Sequence, residues 1–155
     1  MATQTIGPFR GTWAFLSNFY PASVMFEGDV YPTVEHAYQA AKTTNHALRQ
    51  RIRQCVTPGH AKAAGRQLPL QPDWEQVKLA VMEALIREKF MRHPELAKQL
   101  RATSPHTLVE LNSWGDRFWG VCRGRGQNHL GRILMAVRDA LRATDERTHA
   151  IHAGK

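Results

Sequence analysis

A chain of 155 residues, 43% apolar and 22% charged, has the size and composition of one folded domain and not of a disordered or fibrous protein. Its 21 Lys and Arg against 13 Asp and Glu leave a formal charge of +8, which attracts polyanions, phosphorylated metabolites or nucleic acid without choosing among them. Cys55 and Cys122 stand far apart and in no CxxC, the N-terminus has no apolar signal core and no apolar run is of membrane-spanning length, so disulfide, zinc and membrane readings fall away and a cytoplasmic setting is expected.

The first thirty residues are aromatic and broken by Gly and Pro, and SVMFEGDVYP reads as two short strands around a Glu27-Gly28-Asp29 turn. Thr33 is placed to cap a helix running from Val34 to the break at Thr43-Thr44-Asn45, and a second helical piece follows over Ala47 to Cys55. After Pro58-Gly59, HAKAAGRQL predicts a short helix ended by Pro69 and Pro72. Asp73, with Gln76 three residues on, opens the clearest helix, which continues to His93-Pro94. Trp74, Val77, Val81 and Leu85 form one apolar stripe on it and Leu79, Met82, Ile86 and Phe90 another, so it should be central.

Pro94 starts a further helix through Leu100, and LVEL near Leu108 reads as a brief strand or helical turn. NHLGRILMAVRDALR is an amphipathic helix with Leu130, Ile133, Leu134, Val137 and Leu141 on one face. The domain is expected over residues 1–144, with 145–155 as a frayed tail.

Three clusters carry chemistry. On the helix after Pro32, Glu35 and Lys42 share a face, with Tyr38 and Gln39 between them, but lie about 10 Å apart along the axis, beyond the reach of a local ion pair. Either they complement the helix dipole over a core Tyr38, or the face lines a sugar-sized ligand. In NSWGDRFWG, Asp116 lies between two tryptophans, where Trp114 or Trp119 can stack on a flat base and Asp116 face developing positive charge, or Asp116 can cap a turn among core aromatics. The glycine-rich GVCRGRGQNHLG leads into the last helix, and its amides, with Arg123 or Arg125, can hold phosphate or be a solvated loop; Gly65-Arg66 is a lesser candidate for the same task. Eight histidines occur without HExxH, so no metal is assigned, and no GxSxG elbow supports a serine hydrolase.

FLSNFYP (Phe15 to Pro21), YPTVEHAYQAAK (Tyr31 to Lys42), the PDW of Pro72 to Trp74, DRFWG (Asp116 to Gly120) and the GxNxLGxxLM of Gly126 to Met135 together resemble the NADAR superfamily of YbiA-like N-glycosidases, in the family's order from Phe15 to Arg142. The resemblance implies an α+β fold, a predominantly helical single domain with a small antiparallel hairpin or sheet. It also implies hydrolysis of a ribosyl C–N bond without a cofactor, in phosphorylated ribosylamino-pyrimidines or in ADP-ribose attached to guanine, including ADP-ribosylated nucleic acid. By motif, Glu35, Lys42 and Asp116 would be catalytic. Asn18, Phe19, Tyr38, Gln39, Trp119, Gly126 and Asn128 would bind substrate, with Arg66, which lies outside the motifs, added as a phosphate candidate. A non-catalytic ADP-ribose or nucleic-acid binding module using the same aromatics and arginines is the alternative, marked by steep salt dependence and no released base.

Overall fold

Local turn chemistry sets the first paired strands. In the computed structural model, which describes residues 2–154, β2 (Val24–Phe26) and β3 (Asp29–Tyr31) pair antiparallel with Phe26 opposite Asp29. The two-residue loop between them, Glu27 at φ 47° and Gly28 at φ 90°, has the left-handed backbone that a tight hairpin requires. The hairpin is the expected one, with its turn one residue shorter.

The chain is α+β and dominated by helices, and it divides into two compact units. In the unit Ser17–Arg92, the hairpin is followed by α1 (Val34–Ala40), α2 (His46–Arg53), α3 (Pro58–Gly65) and α4 (Trp74–Arg92). Each of the first three begins at a side-chain cap: Thr33 accepts from His36 N, Asn45 from Leu48 N and Thr57 from His60 N. Pro58 therefore lies inside α3, in its first turn where no amide is needed, and not before it. Helix α1 packs against α2, α3 and α4 at once, and all of its residues are buried. Helix α4 buries Trp74, Met82, Leu85, Ile86 and Phe90, as its stripes predict, but Leu79 is exposed and Lys89 is fully buried.

The other unit takes residues 2–16 with 93–154. Strand β1 (Thr5–Ile6) pairs parallel with β4 (Thr107–Leu108), and β5 (Leu111–Asn112) pairs parallel with β6 (Val121–Cys122), so the strands extend beyond the antiparallel hairpin. LVEL thus supplies strand residues. A 3-10 helix spans Gly11–Leu16 and α5 spans Pro94–Ala102. Helix α6 (His129–Ala153) buries Leu130, Leu134 and Val137 and packs on α5 and β4. It runs through the segment expected to fray: no Gly or Pro occurs between Arg132 and Ala153, and Asp145 pairs with His149 one turn on at 3.6 Å. Met1 and Lys155, the outer ends of the expected domain and tail, lie outside the described residues.

Candidate active site

Helix α1 is anchored before it is functional. The imidazole of His36 lies 2.8 Å from Thr33 Oγ1 through Nδ1 and 2.9 Å from the Cys55 carbonyl through Nε2, which ties the first turn of α1 to the end of α2. Thr33 satisfies the His36 amide, and the Asn18 carbonyl satisfies the Glu35 amide at 3.1 Å. Two of the donors a helix start leaves unpaired are thereby bonded, and the FLSN segment is fixed across the first turn.

Glu35 is 7% exposed and accepts a 2.8 Å hydrogen bond from Gln39 Nε2 one turn later. Gln39 is held by α3: a Cβ on Gly65 would stand 1.9 Å from Gln39 Oε1, so glycine is what admits this amide between the helices. With its nitrogen committed to a carboxylate, the Gln39 oxygen points elsewhere and, like Asn18 Oδ1, is a buried acceptor with no protein partner. The amide of Asn18 donates to Met82 Sδ at 3.5 Å.

Lys42, expected inside the helix, lies just beyond its observed end, in the turn after Ala41, with its amide on the Gln39 carbonyl. Its main chain is stitched to the connection before α4, since the Gln71 amide donates to the Lys42 carbonyl at 2.8 Å and the Gln71 side chain to the Ala41 carbonyl at 3.0 Å. The half-buried ammonium sits 5.7 Å from the centre of the Tyr38 ring, which itself packs on Trp74 at 5.2 Å. Burial pushes the Lys42 amine below its ordinary pKa; Glu35 acts against that shift, while Arg66, Lys62 and Lys78 add to it. Arg66 is exposed at the end of α3, and Phe19, 42% exposed, carries the Lys62 ammonium 5.9 Å from its ring centre. Glu35, Gln39, Asn18, Lys42, Tyr38, Arg66 and Phe19 therefore all belong to one unit.

In this unit a separate cleft of about 300 Å³ is lined by Phe26, Thr44, Asp73, Val77 and Val81 among others, and none of the candidate site residues borders it. Arg49 at its edge is ion-paired to Glu27 and donates to the Thr43 carbonyl.

The second and third clusters are in the other unit, and there the polar atoms face main chain. Asp116 Oδ1 accepts from the amides of Phe118 (3.1 Å) and Trp119 (2.9 Å), the turn-capping alternative of the sequence reading. Trp119, part-buried, meets Phe118 edge-on at 4.8 Å. Asn128 bridges two backbones, accepting from Glu110 N at 3.0 Å and donating to Leu108 O at 2.9 Å. Gly126 and Gly131 permit this closeness: a Cβ on either would lie 2.1 Å from a carbonyl oxygen, Gly120's or Leu108's. The expected phosphate cradle at the start of α6 is not formed by these amides. Those of Gln127, Asn128, His129 and Leu130 already donate to the carbonyls of Arg117, Gly120, Phe118 and Trp119, so the DRFWG backbone caps the helix in place of an anion.

Sequence reasoning gave Gly65 a different task, that of holding phosphate, and missed the His36 latch and Lys89. Among the described residues, no three His, Cys, Asp or Glu side chains gather in a metal-binding group, and no helix is long and apolar enough to cross a membrane.

The family model described as NADAR domain matches residues 8–142. The chain belongs to the NADAR family. This NADAR chain is 40% identical over 128 residues to N-glycosidase YbiA of Escherichia coli (strain K12), covering 81% of this chain and 79% of that protein. An N-glycosidase of Nostoc punctiforme is 38% identical over 132 residues, covering 81% of this chain and 84% of the relative. A riboflavin biosynthesis protein of Vibrio vulnificus is 39% identical over 130 residues, 82% of this chain, which spans only 35% of that longer protein. The NMR structure of the E. coli protein YbiA superposes with a TM-score of 0.83 at 35% identity, covering 94% of this chain and 89% of that one. The α+β NADAR fold expected from the motifs is thus the fold observed.

Proposed function

We propose that the protein is an N-glycosidase that hydrolyses the C–N bond between a phosphorylated ribosyl group and a base or amine. The observation that carries this reading is Glu35: a carboxylate almost wholly withdrawn from water, oriented by Gln39, on a helix whose other end presents the partly desolvated amine of Lys42. Relatives named N-glycosidase support the reaction class, and relatives named for riboflavin biosynthesis support a soluble ribosylamino-pyrimidine phosphate as substrate.

Breaking the ribosyl C–N bond sends its electron pair to nitrogen, which takes a proton, and leaves positive charge on C1 and the ring oxygen. Glu35 stabilises that charge and removes a proton from the water whose oxygen bonds to C1. Lys42 offers a second route through the ring-opened sugar: its neutral amine adds to C1 as the nitrogen leaves, and water then hydrolyses the resulting Schiff base. Burial and the neighbouring cations favour the neutral amine that this route needs. Asn18, Phe19, Tyr38, Gln39 and Arg66 are assigned to substrate, with Arg66 and the cations around it nearest to a phosphate. Asp116, its carboxylate engaged by two amides, serves by holding the turn that presents Trp119, and Gly126 and Asn128 serve by holding that turn on α6.

Purified protein is assayed for released base on a ribosylamino-pyrimidine phosphate and, side by side, on DNA ADP-ribosylated at guanine. Glu35→Gln should lose turnover by at least about a hundredfold while remaining folded. Full activity in both Glu35→Gln and Lys42→Ala would remove the assignment, and saturable, salt-sensitive binding without base release would favour the binding module.

A further inference from the structure

Lys89 is the one fully buried lysine among the described residues, 0% exposed on the face of α4 that carries Met82, Leu85, Ile86 and Phe90. Packing alone does not call for an amine there, because burying one is unfavourable unless it makes hydrogen bonds that an apolar side chain of the same volume cannot. Its Nζ donates to the Ser17 carbonyl at 3.0 Å and lies 5.6 Å from the Tyr20 ring centre and 5.2 Å from that of Phe90. Glu88, the adjacent carboxylate on α4, is engaged by Arg92 and by the Met25 amide.

The segment it holds has no helix or strand of its own between Leu16 and Val24; the Tyr20 amide returns to the Ser17 carbonyl, the Phe19 amide to Ser17 Oγ and the Ala22 amide to the Tyr20 carbonyl. Helix α4 grips that turn at two points on one face: Met82 takes the Asn18 side chain and, two turns on, Lys89 takes the Ser17 carbonyl. The next carbonyl along, that of Asn18, accepts the amide of Glu35. A continuous path of hydrogen bonds and one peptide unit thus joins the α4 amine to the backbone that bears the Glu35 carboxylate.

We propose that Lys89 is a positioning residue of the active site: by tethering Ser17 it fixes the Asn18 carbonyl against the first turn of α1 and so sets the position of Glu35. This rests on the reading of Glu35 as the reacting carboxylate. A displacement of the order of 1 Å at a reacting group lowers rate by roughly a hundredfold, so the tether acts on kcat and leaves substrate affinity largely alone.

The first test needs neither variant nor substrate. Burial brings the Lys89 amine to a pKa of about 7. In NMR of the wild-type protein, the Ser17 carbonyl carbon and the Glu35 amide should move with the Lys89 midpoint. Ser17 is the decisive resonance, because His36, also in the first turn of α1, contacts Thr33 and Cys55 instead. A Ser17 or Glu35 signal that stays still while Lys89 titrates overturns the proposal. The second test is Lys89→Met, which should lower kcat at least about tenfold with KM changed by less than about twofold and with the urea midpoint undiminished. Wild-type kcat in Lys89→Met beside an inactive Glu35→Gln refutes the positioning role and spares the Glu35 reading. A fully active Glu35→Gln removes that reading and the proposal with it.

Discussion

Replacing Lys89 with methionine should make the protein more stable in mild acid and bring the two proteins closer together in base. The amine is fully buried, and its pKa falls from 10.5 to about 7 through burial. At about 1.4 kcal/mol for each factor of ten, the charged form costs the folded state about 5 kcal/mol. Below pH 7 both folded and unfolded chains hold the proton, and the folded protein bears that whole cost. Between pH 7 and 10.5 the folded state has released a proton that the unfolded chain keeps, so wild-type stability rises by up to about 1.4 kcal/mol per pH unit. Methionine retains most of the stem's volume and carries no charge. The Ser17 carbonyl then keeps the Tyr20 amide and loses one hydrogen bond, worth about 1 kcal/mol.

Lys89→Met should therefore exceed wild type by about 4 kcal/mol at pH 6, and the margin should shrink by about 3 kcal/mol at pH 9. Urea unfolding followed by tryptophan fluorescence at the two pH values measures it. Every other ionisable group is common to both proteins, so their contributions cancel in the difference. Parallel stability curves from pH 6 to 9 would refute the reasoning, because they would mean that the ammonium reaches water in the folded state.

Trapping with borohydride in the presence of substrate should leave a sugar adduct on Lys42, and its yield should rise with pH as the neutral amine becomes available. Arg66→Ala removes one of the cations that depress this amine, so its trapping profile should move to higher pH; an unmoved profile would detach Arg66 from the site. Gly65→Ala drives a Cβ into Gln39 and should destabilise the protein by about 1–3 kcal/mol and lower turnover by displacing the Glu35 partner, read from urea midpoints and initial rates. Asn128→Ala unpairs the Glu110 amide and the Leu108 carbonyl and should cost about 2 kcal/mol of stability with KM unchanged; a raised KM at full stability would instead put Asn128 on the substrate.

Features set by neighbours in sequence were legible without the structure. Thr33 caps α1, the Glu27-Gly28 turn closes the hairpin, and the apolar spacing of α4 marks Met82, Leu85, Ile86 and Phe90 as core. What could not be read depends on partners far along the chain. Lys89 on an apolar stripe looks like a surface lysine until Ser17, 72 residues earlier, supplies its acceptor. Leu79 looks like core, yet it is exposed while Met82, Ile86 and Phe90 on the same stripe are buried, because periodicity gives the angle between residues without saying how far along the helix a face is covered. The tail is expected to fray, and α6 nevertheless runs through it to Ala153 with its residues exposed.

The motifs single out residues without separating two kinds of arrangement. Asp116 and Asn128 use their polar atoms on main-chain amides and carbonyls, and the close carbonyl approaches at Gly126 and Gly131 belong to the same construction. Such residues are demanded by the path of the backbone. Glu35 differs: its carboxylate is met by another side chain, Gln39, whose own oxygen remains a buried acceptor without a protein partner, and a cation depressed by burial lies at the end of the same helix. A fold does not require that arrangement, since an apolar residue at position 35 would bury at lower free-energy cost between the same helices. On the proposed function the charge on α1 is accounted for by chemistry, whereas the Asp116 carboxylate is engaged by the amides of its own turn.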